Sequence, residues 1–83
     1  MKIGDKIRAI RTMKGYSQEY MAAKLHMSQS AYGKIERGKT DITVNRLKQV
    51  SDLLGLSNPA DILLFDAEDL LSRISSKYKN KTA

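Results

Sequence analysis

The chain has 83 residues, no cysteine, and 15 lysines and arginines against 9 acidic side chains for a net charge of +6. That length suits one small domain, and the missing thiols exclude a disulfide framework and thiolate metal sites. No apolar run is long enough for a signal peptide or a membrane span, so a cytoplasmic protein with no membrane partner is expected. Charge is unevenly spread: residues 1–48 carry 11 basic and 4 acidic side chains, residues 49–72 carry 5 acidic and no basic ones, and residues 73–83 carry 4 basic ones. The N-terminal half is therefore the part suited to face a polyanion.

Taken in chain order, Ile3, Ile7, Ile10 and Met13 recur at spacings of four, three and three, the period of one apolar helix face. The first helix should run over residues 2–14, with Gly15 as its C-terminal stop. Ser17 and Ser28 can then each cap a short helix, the side-chain oxygen accepting from an unpaired amide of the first turn. Tyr16 with Met21, and Met27 with Tyr32, flank those caps at the spacing of a hydrophobic staple. Ala22 and Leu25 face inward in the first of the two helices, and Ala31, Tyr32 and Ile35 in the second. Gln29, Ser30, Gly33 and Lys34 are left pointing outward. Tyr32 is read as a core residue rather than as a stacking surface for bases. Two short helices joined by a tight turn across residues 17–38 are the pattern of a DNA-binding helix-turn-helix.

Gly38 ends the second helix of the pair, residues 39–42 form a loop, and Thr43 or Asp41 caps a fourth helix. Its apolar face is Val44, Leu47, Val50 and Leu54, closed by Gly55. Asn58, Pro59 and Asp61 mark a fifth start, since proline suits a first helical position, where its missing amide costs nothing. No stretch alternates with period two, so the fold class is all-α with five helices. Past Leu64, Phe65 and Asp66 either continue one helix or break it, while Leu63, Ala67, Leu70, Leu71, Ile74 and Tyr78 keep helical spacing. Residues 1–65 are read as the helix-turn-helix domain. Residues 66–83 are read as a helical C-terminal extension, a candidate dimerisation segment with a frayed end.

Ser17-Gln18-Glu19, Ala22, Leu25, Met27-Ser28, Ile35-Glu36-Arg37-Gly38 and Leu53-Leu54-Gly55-Leu56-Ser57 stand in the order and spacing of a known family. Over roughly Ile3 to Ser57 the sequence resembles the Cro and phage-repressor type of helix-turn-helix, the xenobiotic-response-element-like regulators of bacteria and phages. The resemblance implies a repressor-like domain whose second motif helix enters the major groove of double-stranded DNA. Ser28, Gln29, Ser30 and Lys34 are then the residues nearest to base edges. Gln29 suits a bidentate match to adenine, and Lys34 a guanine or a phosphate. Gln18 is implied as a backbone clamp at the start of the first motif helix, and Arg37, Lys39, Thr43, Asn45 and Arg46 as a second grip on the sugar-phosphate chain. Arg11 and Glu36 match positions that commonly form a partly buried structural ion pair. Two residues depart from the pattern. His26 stands where glycine is common, at a turn position that calls for a positive φ, and Gly33 lies inside the recognition helix, either admitting DNA closely or merely tolerated.

An enzyme is the weakest reading. There is one histidine, no cysteine and no glycine-rich phosphate loop, and Asp5, Asp41 and Asp52 lack the context of a catalytic pair or metal cage. No cofactor and no metal are expected. The expected function is a sequence-specific transcriptional regulator, a homodimeric repressor at a palindromic operator, with Leu63, Leu70, Leu71, Ile74 and Tyr78 as the dimer contact unless that stripe folds back on its own domain. The competing class is a protein-interaction module, such as the antitoxin of a toxin-antitoxin pair, in which the acidic, leucine-rich stretch 61–74 binds a protein partner.

Overall fold

The computed structural model describes residues 2–65. These form α1 (Ile3–Lys14), α2 (Gln18–Lys24), α3 (Gln29–Glu36), α4 (Val44–Leu53) and α5 (Ala60–Leu64), with no strand among the described residues. The fold is all-α, as the periodicity predicts.

The helix starts follow the capping chemistry of the sequence. Ser17 Oγ accepts from the Tyr20 amide at 2.9 Å, Ser28 Oγ from Ala31 at 3.0 Å, and Thr43 Oγ1 from Arg46 at 3.1 Å. Thr43, not Asp41, is thus the α4 cap. At α5, Asn58 Oδ1 accepts from the Ala60 amide at 2.9 Å while Pro59 already has helical φ and ψ of −54° and −29°. Asn58 therefore does the capping, and proline opens the helix where its missing N–H costs nothing.

The helix ends share one device. After each of α1 to α4, a residue with left-handed φ donates its amide to the carbonyl three back, and the next residue donates five back, which is the Schellman arrangement. The pairs are Gly15 and Tyr16, His26 and Met27, Gly38 and Lys39, and Gly55 and Leu56. Three of the left-handed positions are glycine; the turn between α2 and α3 has His26 at φ 56°.

Ile7, Ile10, Met21, Ala22, Leu25, Tyr32, Ile35, Leu47, Val50, Leu54 and Ile62 make the core. α2 packs on α3, and α1 lies against both α3 and α5. Lys6 Nζ also donates to the Leu63 carbonyl, fastening α5 to α1. Ser51, fully buried on α4, donates to the Lys48 carbonyl at 2.9 Å, so its hydroxyl is satisfied within its own helix.

Several positions differ from the periodic reading. Met13 and Val44 belong to the apolar stripes of α1 and α4, yet they are 58% and 69% exposed. Each sits at a helix end, where the stripe runs past the neighbouring element. Ala31 is only half-buried. Gly33, expected to face outward, is buried. At the point where the sequence left continuation and break both open, α5 stops at Leu64 and Phe65 has extended backbone, which is the break. Leu63 is half exposed. Leu70, Leu71, Ile74 and Tyr78, and the helical extension that carries them, lie outside the described residues.

Candidate nucleic-acid interface

Helix α3 is amphipathic in a way that fixes one face and frees the other. Tyr32, Ile35 and Glu36 are buried, while Ser28, Gln29, Ser30 and Lys34 are exposed. The Ser28 oxygen accepts the Ala31 amide, which leaves its hydroxyl hydrogen free to donate. Lys34 lines a groove with Thr43 and Arg46, between α3 and the loop leading to α4, so the predicted base-reading and backbone-gripping residues share one side of the domain there.

The opposite face of α3 is anchored through Glu36. Arg11 Nε donates to its Oε2 at 2.6 Å and Arg11 Nη2 to its Oε1 at 3.1 Å, a forked ion pair between α1 and α3. Arg11 Nη1 also donates to the Tyr16 carbonyl at 2.7 Å, tying in the chain between α1 and α2. Tyr32, one helical turn before Glu36, donates its hydroxyl to Oε2, and Gln18 Nε2 donates to Oε1 at 3.1 Å. Burial alone would raise the Glu36 carboxyl, but the hydrogen bonds from Arg11, Tyr32 and Gln18 outweigh it and hold it below the ordinary carboxylate range. The bond to Glu36 correspondingly raises Arg11, and burial followed by the same carboxylate pushes the Tyr32 hydroxyl well above its ordinary range. Tyr32 is therefore a standing donor. Among the described residues no buried side-chain nitrogen or oxygen lacks a partner.

The resemblance supplied the Arg11–Glu36 pair; it did not supply Tyr32 or Gln18 as partners of Glu36. The i, i+4 spacing of Tyr32 and Glu36 was the available signal for the first. Nothing local signals the second, because Gln18 and Glu36 meet only through the packing of α2 on α3.

Gln18 is half-buried, with one amide hydrogen engaged by Glu36 and the other, with Oε1, uncommitted. Arg37, Lys39, Thr43 and Asn45 are exposed. Arg46 is half-buried: its Nη1 donates to the Leu25 carbonyl at 3.0 Å and to Gln49 Oε1 at 2.9 Å, so it holds α4 to the end of α2 before it grips anything else. Among the described residues there is no cluster of three metal-ligating side chains, and no helix is long and apolar enough to cross a membrane.

A five-helix domain with a capped, half-exposed α3 set against α2 is the architecture of a repressor-type DNA-binding module. The chain belongs to the helix-turn-helix family of Cro and phage-repressor type, whose model matches residues 7–59. That membership makes it a DNA-binding transcriptional regulator and not an enzyme. It is 37% identical over 75 residues to the SPbeta prophage-derived uncharacterized HTH-type transcriptional regulator YonR of Bacillus subtilis (strain 168), covering 83% of this chain and 68% of that protein. It is also 41% identical over 54 residues to the uncharacterized HTH-type transcriptional regulator YazB of the same organism, covering 65% of this chain and 78% of that protein. No solved structure gives a significant match.

Proposed function

We propose that the protein is a homodimeric repressor, acting in the cytoplasm, that reads a short palindromic operator with α3 in the major groove. The observation that carries this reading is the division of α3: Tyr32, Ile35 and Glu36 lock one face while Ser28, Gln29, Ser30 and Lys34 stand exposed on the other. A rigidly seated helix with free polar side chains at its N-terminal end is what groove readout requires. Gln29 donates to N7 and accepts from N6 of an adenine, and Lys34 meets guanine or phosphate. Gln18, Arg37, Lys39, Thr43, Asn45 and Arg46 hold the sugar-phosphate chain and set the register without carrying sequence information. Repression follows from occupying a promoter, and the 37% identity to a protein named as a transcriptional regulator supports a role in gene control.

Paired measurements on operator and random duplexes test the assignment. Gln29→Ala should weaken operator binding by about 1–3 kcal/mol and leave random-duplex binding nearly unchanged. Gln18→Ala should weaken both together. Equal losses on the two duplexes for Gln29→Ala would remove it from the base contacts.

A further inference from the structure

Gly33 is the one residue inside α3 with no side chain, and helix propensity gives no reason for it: glycine in a helix interior is less favourable than alanine. The space that its missing side chain leaves is filled from elsewhere. A Cβ built on Gly33 would stand 3.0 Å from Arg37 Nη1 and 3.8 Å from Arg37 Cζ, and 3.8 Å from Gln18 Oε1. The Arg37 side chain thus runs back along α3 by one turn and lays its guanidinium over Gly33, the same glycine that Gln18 Oε1 approaches from α2. Gln18 is in turn held by Glu36, which takes one of its amide hydrogens at 3.1 Å and leaves the other.

We infer that Gly33 is a positioning residue for DNA-backbone binding: its bare surface lets the Arg37 guanidinium lie against Gln18, so that the two side chains grip one phosphate together. The chemistry is complementary. A guanidinium offers two parallel N–H groups to a phosphate, and the second amide hydrogen of Gln18 adds a neutral donor from the neighbouring helix. Without the Gly33 surface, Arg37 stays exposed at the end of α3 and retains its charge but loses that place. This inference rests on the reading of Gln18 and Arg37 as backbone contacts, and the experiment separates the two.

The experiment compares the full chain with Gly33→Ala, Arg37→Ala and the double variant, by titrating a random-sequence duplex over a range of salt concentrations and by thermal melting. A methyl at Gly33 meets only the far end of a flexible side chain, so Gly33→Ala should fold and melt no lower than the parent, and higher if the gain in helix propensity is realised. Its DNA binding should move the other way. The slope of log K against log salt should become shallower by about 0.9, the value for one phosphate contact, which corresponds to roughly an eight-fold weakening at 0.1 M salt relative to 1 M. Arg37→Ala should lose the same amount, and the double variant no more than either. Stability held or raised while affinity falls is a pair of results that a purely structural glycine does not give. If Arg37→Ala binds like the parent, the backbone reading of Arg37 fails and the inference falls with it. If Arg37→Ala weakens binding but Gly33→Ala does not, Arg37 is a backbone contact and Gly33 has no part in placing it. If Gly33→Ala weakens binding equally with and without Arg37, the DNA itself approaches the glycine and the positioning role is overturned.

Discussion

Glu36 accepts hydrogen bonds from Arg11 of α1, Gln18 of α2 and Tyr32 of its own helix, and its energetics depend on which partner is removed. Its side chain is 2% exposed and that of Arg11 is 11% exposed. Arg11→Met strands a carboxylate that has no route to water, whereas Glu36→Gln leaves a guanidinium nearer the surface. Breaking a buried pair from one side costs at most about 3–5 kcal/mol, so Arg11→Met should lie toward that end and Glu36→Gln below it, as read by denaturant titration. The pH dependence follows from the sign of the shift. The folded-state Glu36 carboxyl is depressed, so the unfolded chain takes up the proton first, and stability from this group is present above the unfolded value and lost as pH falls through the folded one. Arg11→Met removes a principal cause of that depression. The stability gap between parent and variant should therefore narrow as the solution is acidified through the folded value; a gap independent of pH would show that Glu36 does not carry its charge in the fold. The pair itself was legible in sequence by family resemblance. Its bond to Tyr32 had only the i, i+4 spacing as a signal, which does not say where a core tyrosine's hydroxyl will point, and its bond to Gln18 had none, because the two meet only where α2 packs on α3.

At the scale of elements, what could be read in sequence was what is local. Caps at Ser17, Ser28 and Thr43 and the stop at Gly15 each depend on a few consecutive residues, and each is present, while the positive φ of His26 is what the family resemblance implied. The misreadings at Met13, Val44 and Gly33 share a different cause. Helical period assigns a residue to a side of its helix, but whether another element or a long side chain lies opposite is decided by packing across the chain. Gly4 shows the same limit from the other direction. Glycine is a poor helix former, yet a Cβ there would stand 2.6 Å from the Ile35 carbonyl oxygen and closer still to that of Glu36. The first turn of α1 therefore crosses the end of α3 backbone to backbone at Glu36, whose side chain Arg11 holds from two turns further along α1. Because the obstacle is main chain, it cannot swing aside as Arg37 can at Gly33. Gly4→Ala should accordingly destabilise the protein by about 1–3 kcal/mol, the cost of overpacking, despite its better helix propensity. A thermal midpoint equal to or above that of the parent would mean that α1 does not cross α3 so closely.

The molecule as a whole divides by charge and by apolar exposure, and the division bears on assembly. The basic residues of the first 48 positions outnumber the acidic ones by 7, whereas residues 49–72 carry 5 acidic side chains and no basic ones, a composition poorly suited to phosphates. Leu63 and Leu64 are 50% and 78% exposed on α5, at the point where the chain leads into Leu70, Leu71, Ile74 and Tyr78. Leucines left open beside an acidic segment call for cover. In the proposed homodimer a second copy would provide it symmetrically, and a two-fold contact through this segment would set two α3 helices about 34 Å apart, one turn of DNA, with half-sites roughly 10 base pairs centre to centre. A domain that binds singly has no such spacing preference. The double substitution Leu70→Glu, Leu71→Glu should then give a folded monomer by sedimentation. On a palindromic site its affinity should fall to that of a single half-site, and lengthening the spacer by half a turn should weaken the parent while leaving the variant unchanged. A variant that stays dimeric and keeps its operator affinity places the subunit contact elsewhere. One that is monomeric yet binds as tightly as the parent removes the need for a dimer altogether.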